Sequence, residues 1–442
     1  MSGGPPQFPY REPLDSNPFS SYSKLSANYY THAGFARKAQ PGIVRRPEEK
    51  TMPNTGVIAR GIVTPIFKQG DDLIALICDS LFNAAERDGF TLNHGDIVAV
   101  TEAVVGRTQG NYATCSQIAQ DIRAKFGGGT LGIVFPILSR NRFATVLTAI
   151  AQGCDNLIIQ LSYPADEVGN KLLDISACDE KNVNPYTDSF TEAQFREIFG
   201  MNTIHTFTGI DYIEYYKSLA PGCAIVFSND PTHILRYSNN VLCCDIHTRM
   251  RTQARIKKAG GYCLRLDEIM TGPVSGSGYS EYGLLGSNKA TEDSVKLFPR
   301  DTKPFVTSLQ AELKRRTGQT LEVMVYGDGG FKDPVGGIWE LADPAISPAY
   351  TEGLSGTPNE LKIKYIADND LADVSGDELT EKIRDRIRNK DMNLVGRMTA
   401  EGTTPRRIHD LVGSLCDLVS GSGDRGTPVV LVQNYFKNYA DN

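Results

Sequence analysis

Short apolar runs alternate with stretches of helical spacing along most of the chain. Gly61–Phe67 (GIVTPIF) predicts a strand, and Leu73, Leu76, Ile77, Leu81 and Phe82 then recur at the period of a helix. Asp71 and Asp72 stand where a helix N-terminus favours negative charge. A polar turn, Asn93 to Asp96, leads into the buried-strand pattern Ile97–Val100. Further strands are predicted at Leu131–Ile137, Asn156–Leu161, Cys223–Phe227, Val241–Ile246 and Tyr262–Leu266. Helical stretches at Arg142–Gln152, Ile234–Tyr237 and Thr248–Lys258 separate them. Strands alternating with helices predict a parallel-sheet α/β unit. Nearer the C-terminus the pattern gives a helix at Lys303–Thr317, a strand at Leu321–Tyr326 and a charged, solvated helix at Glu378–Asn389. A last helix, opened by Thr404 and Pro405 and carrying Ile408, Leu411, Val412, Leu415 and Leu418, precedes the strand Val429–Val432.

Polar residues gather where the predicted strands end. They include Ser139 to Arg142, Tyr163 to Glu167, the Ser228–His233 stretch and Asp245 to Arg249. Carboxyl ends of parallel strands are where open sheets bind ligands, which suggests substrate recognition here. After Leu321–Tyr326 the chain breaks into GDGGFKDPVGG, in which Gly327, Gly329, Gly330, Gly336 and Gly337 surround Asp328, Lys332 and Asp333, with Glu340 and Asp343 following. Glycine-rich backbone can aim N–H groups at phosphate, and carboxylates beside it suit Mg²⁺ or Mn²⁺. A tight turn with solvated acids fits the same composition. Arg107, after Ile97–Val100, reads either as a phosphate contact or as a surface ion pair. His233 and His247 read as structural rather than basic groups, since spacing shows no partner for either.

Composition narrows the classes. The net charge of −6 leaves no basic footprint for nucleic acid. No apolar run is long enough to span a membrane, and the first residues lack the order of a secretion signal. Nine scattered cysteines without a CxxC predict reduced thiols and a cytoplasmic protein rather than zinc or disulfides. Residues 1–55, rich in Pro, Ser, Tyr and Asn, read as a partly disordered extension or a partner-binding arm. GSGDRG at 421–426 fits a dinucleotide fingerprint in letters only, because it lies between a helix and a strand, the reverse of the required order. Neither a GxSxG elbow nor an HExxH helix occurs.

Four blocks and one further aspartate carry a family resemblance. PIFKQGDDL (Pro65 to Leu73) and GDIVAVTEAVVGRTQG (Gly95 to Gly110) resemble the opening of the coenzyme F-420:L-glutamate ligase (gamma-glutamyl ligase) family. The stretch from Tyr282 to Asp301, the aspartate at 328 and the closing D-L…G-x-x-D-x-G-x-P-V-V are similar to that family's later blocks, in the same order. One departure stands out. The family's metal aspartate in the third block has no clear equivalent, and Ser287 or Asn288 stands near its place.

The resemblance implies an α/β protein in which an α+β ligase core, residues 56–130 and 281–442, is interrupted by a parallel-sheet insertion at 131–280. It implies nucleotide binding by Pro65, Ile66, Phe67, Lys68, Glu102, Ala103, Arg107, Gly421, Gly423 and Asp424. Lys68, Arg107 and Lys332 would neutralise charge, while Asp328, Asp333, Asn288 and Glu340 would hold Mg²⁺ or Mn²⁺. Arg140, Arg406 and Arg407 would grip substrate carboxylates. The implied activity is ligation of L-glutamate to a small-molecule acid through an acyl phosphate, using GTP or ATP, in a homodimer. The same activation chemistry on a folate-like or specialised acid remains open, as does a nucleotide-binding protein without catalysis.

Overall fold

A computed structural model describes residues 55–441, apart from 202, 206, 331–336, 338–342, 401–405 and 421–422. The expected N-terminal extension therefore lies almost wholly outside the described residues. The strands, in chain order, are β1 (Ile58–Ile62), β2 (Ile97–Thr101), β3 (Tyr112–Thr114), β4 (Thr130–Val134), β5 (Asn156–Leu161), β6 (Ser189–Thr191) and β7 (Ala224–Ser228). They continue with β8 (Asn240–Cys243), β9 (Tyr262–Arg265), β10 (Asn288–Lys289), β11 (Ser294–Lys296), β12 (Glu322–Tyr326), β13 (Ala349–Tyr350) and β14 (Val429–Gln433).

Two main sheets result, and they belong to one compact unit. The first runs β1-β14-β2-β12-β13, with β2 and β12 parallel and the other pairings antiparallel. The second runs β6-β7-β5-β4-β8-β9, parallel throughout except for the edge strand β6. A small sheet, β10-β11-β3, accompanies them. The fold is thus α/β. Because β2 and β12 are buried on both faces, they read in sequence as continuous apolar runs. Helix Leu73–Asp88 buries Leu73, Ile77 and Leu81 and is capped by Asp72, which accepts from Ala75 N–H at 3.0 Å, and by Gly89 in the left-handed region.

Three local differences from the sequence pattern have physical causes. The strand expected over Gly61–Phe67 is displaced to Ile58–Ile62, since Pro65 has no N–H for a ladder and Ile66 stands 84% exposed. The strand expected to reach Ile137 ends at Val134, where Phe135 takes φ 56°. The core around the second sheet runs from Ala113 to Leu297, so helix Cys115–Phe126 packs with that sheet rather than with the first. All nine cysteines are free thiols, and all but Cys223 are buried. Among the described residues no helix is long and apolar enough to cross a membrane.

Buried side chains fix the loop that leaves β4. The Asp166 carboxylate accepts from the backbone N–H of Leu138, Val168 and Asn170 and from Asn170 Nδ2, at 2.8–3.1 Å. Tyr216 donates its hydroxyl to Ile137 O and accepts from Ser139 N–H. Asp166 thereby ties the loop after β4 to the loop after β5. Replacing it strands several buried donors, each costing about 1–3 kcal/mol. Asp166→Ala is expected to destabilise the protein by about 3 kcal/mol or more in urea unfolding; an unchanged midpoint would contradict that role.

Candidate functional site

The carboxyl ends of both sheets open into one cleft of about 930 Å³. From the first sheet come the segment after β1 (Thr64–Phe67), the end of β2 with Glu102–Val104 and Arg107, and Gly327 and Asp328 after β12. The antiparallel strand β14 starts at the same end, which brings in Gly426–Pro428. From the second sheet come Ile137–Arg142 after β4, and Val168 and Asn170 after β5. Helix Tyr212–Leu219 adds Tyr212, and helix Ile408–Ser420 adds Asp417, Leu418 and Ser420.

Most of the expected nucleotide residues meet here. Pro65, Ile66, Phe67, Glu102, Ala103, Arg107 and Gly423 all line the cleft. Arg107 Nε donates to Phe67 O at 2.7 Å, joining the two resemblance blocks through one guanidinium. Lys68 is exposed in the turn beyond Phe67 and is absent from the lining, as is the exposed Asp424. Arg140, Asn288 and Asp328 also line the cleft. Lys332, Asp333, Glu340 and Gly421 lie outside the described residues.

Two expected groupings do not form among the described residues. Arg406 and Arg407 are exposed just before helix Ile408–Ser420, whose opposite end carries the lining residues Asp417, Leu418 and Ser420. At a rise of 1.5 Å per residue that separation is roughly 18 Å, and neither arginine is among the residues lining the cleft. The glycines at 327–330 form no open anion cradle. Asp328 N–H donates to Asp343 Oδ2 at 2.7 Å, Gly329 N–H to Asp417 Oδ2 at 3.0 Å and Gly330 N–H to Ser414 Oγ at 3.2 Å. Their small size serves close approach to protein instead. A Cβ on Gly327 would collide with Asp343, and one on Gly329 would lie 2.9 Å from Ser414 Cα.

The cleft's charges are largely paired. Glu102, 5% exposed, accepts from Lys296 Nζ at 2.6 Å. Burial pushes its carboxyl up from the ordinary range and Lys296 opposes that shift. Arg142 donates through Nη1 to Asp343 Oδ1 at 2.5 Å and through Nη2 to Asp328 Oδ2. Burial alone would depress its pKa, but Asp343 and Asp328 carry it above the usual arginine value. Burial raises the Asp417 pKa, against the Gly329 N–H that favours its ionised form. The sequence names Asp343 only as an acid following the glycine-rich stretch, and it singles out none of Arg142, Lys296 and Asp417. Arg142 was visible only as part of the polar cluster ending β4, and Asp417 as an acid within an apolar helix.

Oxygen donors dominate the cleft floor, which suits a hard cation. Among the described residues no group of three or more His, Cys, Asp or Glu forms a metal cage. Mg²⁺ that enters on a nucleotide needs only one or two carboxylates besides phosphate and water, and Asp328 and Asp417 both line the cleft. Among the described residues, these two carboxylates are the donors that would suit a cation arriving with its ligand. His233 and His247 are absent from the lining.

The model of one protein family, F420-0:Gamma-glutamyl ligase, matches residues 61–434, a span that takes in both sheets. No curated protein matches the chain.

Removing one member of the Glu102–Lys296 pair leaves a buried charge uncompensated, at about 3–5 kcal/mol. Lys296→Met is expected to lose that much stability in urea unfolding, and Glu102→Gln added to it to recover most of the loss. Equal losses in the single and double variants would contradict the pairing.

Proposed function

The chain belongs to the F420-0:gamma-glutamyl ligase family, and from that premise we propose that it joins L-glutamate, or a similar amine, to a small-molecule acid at the expense of GTP or ATP. The acid's carboxylate oxygen attacks the terminal phosphorus, the nucleoside diphosphate leaves, and an acyl phosphate forms. The amine then attacks the acyl carbon and expels phosphate, giving up its proton to water or a cleft carboxylate. Neither step needs a covalent enzyme nucleophile, so the chain's task is positioning and charge neutralisation.

What supports the reading is the convergence of Pro65–Phe67, Glu102, Arg107, Arg140 and Asp328 on one cleft from segments far apart in sequence. Arg107 and Arg140 are the wall cations suited to phosphate and to substrate carboxylate. Loops from both sheets line the cleft in which the reacting groups would meet. Mg²⁺ or Mn²⁺ held by Asp328 and Asp417, with the Asn288 amide oxygen, would spread the charge of the phosphates. Lys68, in the turn beyond Phe67, and Lys332 belong to the proposal as further cations, and a homodimer is the assembly we assign.

Phosphate release from purified protein supplied with GTP or ATP, Mn²⁺, glutamate and a pool of acidic acceptors tests this. Release that requires both glutamate and an acceptor is expected, while tight nucleotide binding without release would point to a non-catalytic protein. Asp328→Asn is expected to lower kcat by about 10²–10³-fold with the circular-dichroism spectrum unchanged. Undiminished turnover would remove Asp328 from the site.

A further inference from the structure

Arg142 lies at the junction of the two sheets, on the loop after β4, and reaches across to two aspartates that follow β12. Its side chain is only 15% exposed and that of Asp343 only 1%, so this is a fixed feature of the cleft floor rather than a rim pair. Among the described residues, every hydrogen-bond partner of the guanidinium is an oxygen. They are Asp328 Oδ2, Asp343 Oδ1 and, at 3.5 Å, the Gly286 carbonyl. One residue beyond Gly286, the buried Ser287 hydroxyl has no hydrogen-bond partner among the described residues. Two carboxylates and a backbone carbonyl are donor types that hard divalent ions take.

We propose that the Arg142 guanidinium stands where a divalent cation would otherwise bridge Asp328 and Asp343, so that the chain supplies this positive charge itself. In combination with the nucleotide reading above, on which this clause alone rests, the cleft then takes a single divalent ion per nucleotide. Among the described residues, the acids Glu102, Asp328, Asp343 and Asp417 gather around Arg142 and Lys296, so this point of the floor relies on those two cations. Without Arg142 one of them is lost, and the two aspartates gain an incentive to bind metal. Arg142 is thus a positioning residue whose charge, not only its packing, is needed.

Mn²⁺ binding followed by electron paramagnetic resonance, without nucleotide, tests the core of this. Arg142→Gln is expected to gain one Mn²⁺ site per chain at least tenfold tighter than any in the unaltered protein, and Arg142→Lys, which keeps the charge, is expected to gain none. If Arg142→Gln folds only in millimolar Mn²⁺ while the charge-balanced Arg142→Gln/Asp343→Asn double variant folds without it, the proposal stands. Equal Mn²⁺ binding by Arg142→Gln and the unaltered protein overturns it. So does an Arg142→Gln variant that stays unfolded in Mn²⁺. With a non-hydrolysable GTP analogue present, the unaltered protein is expected to bind one Mn²⁺ and Arg142→Gln two. Absence of analogue binding would defeat the nucleotide reading and leave the nucleotide-free comparison intact.

Discussion

Electrostatic balance in the cleft floor is the constraint on which the rest of the structure depends. Among the described residues, four carboxylates approach one another where two sheets point their strand ends at a common space, and buried carboxylates are tolerated only when paired or well hydrogen-bonded. Arg142 and Lys296 supply the pairing, and backbone N–H groups of the loop after β12 supply further hydrogen bonds to Asp343 and Asp417. The same contacts tie the loop after β4 to the loop after β12, so the charge network also holds the two sheets in register around the cleft.

Such an arrangement separates two jobs. Strands buried on both faces set where the loops begin, and Asp166 and Tyr216 set the course of the loop after β4. Side chains on those loops are then free to serve chemistry, with Arg107 and Arg140 on the walls and acids on the floor. Cations above and carboxylates below form the polarity that a metal-bound triphosphate requires, since its phosphates seek the first and its metal the second.

Much of the architecture was legible because burial writes itself into sequence as periodicity. Ile97–Thr101, Glu322–Tyr326 and Val429–Gln433 are apolar runs, and they are the centre of the first sheet. The alternation between β4 and β9 likewise announced a parallel sheet. Ion pairing leaves no such trace. Arg142 and Asp343 stand 201 residues apart, Glu102 and Lys296 stand 194 apart, and nothing local marks either pair. For the same reason Arg406 and Arg407 looked as suitable as Arg140 until the course of helix Ile408–Ser420 carried them away from the cleft. The glycines after β12 misled in another way. A residue without a Cβ permits close approach, but sequence does not say whether a ligand or the protein itself approaches. Here it is the protein.

The central claim is that one cleft between the carboxyl ends of β2, β12, β4 and β5 receives the triphosphate. A crystal structure of the protein with a non-hydrolysable GTP or ATP analogue and Mn²⁺ tests it most directly. The account predicts phosphate density within hydrogen-bonding distance of Arg107 or Arg140, with the metal on Asp328 or Asp417. Triphosphate bound elsewhere on the molecule, with that cleft filled only by water, would contradict it.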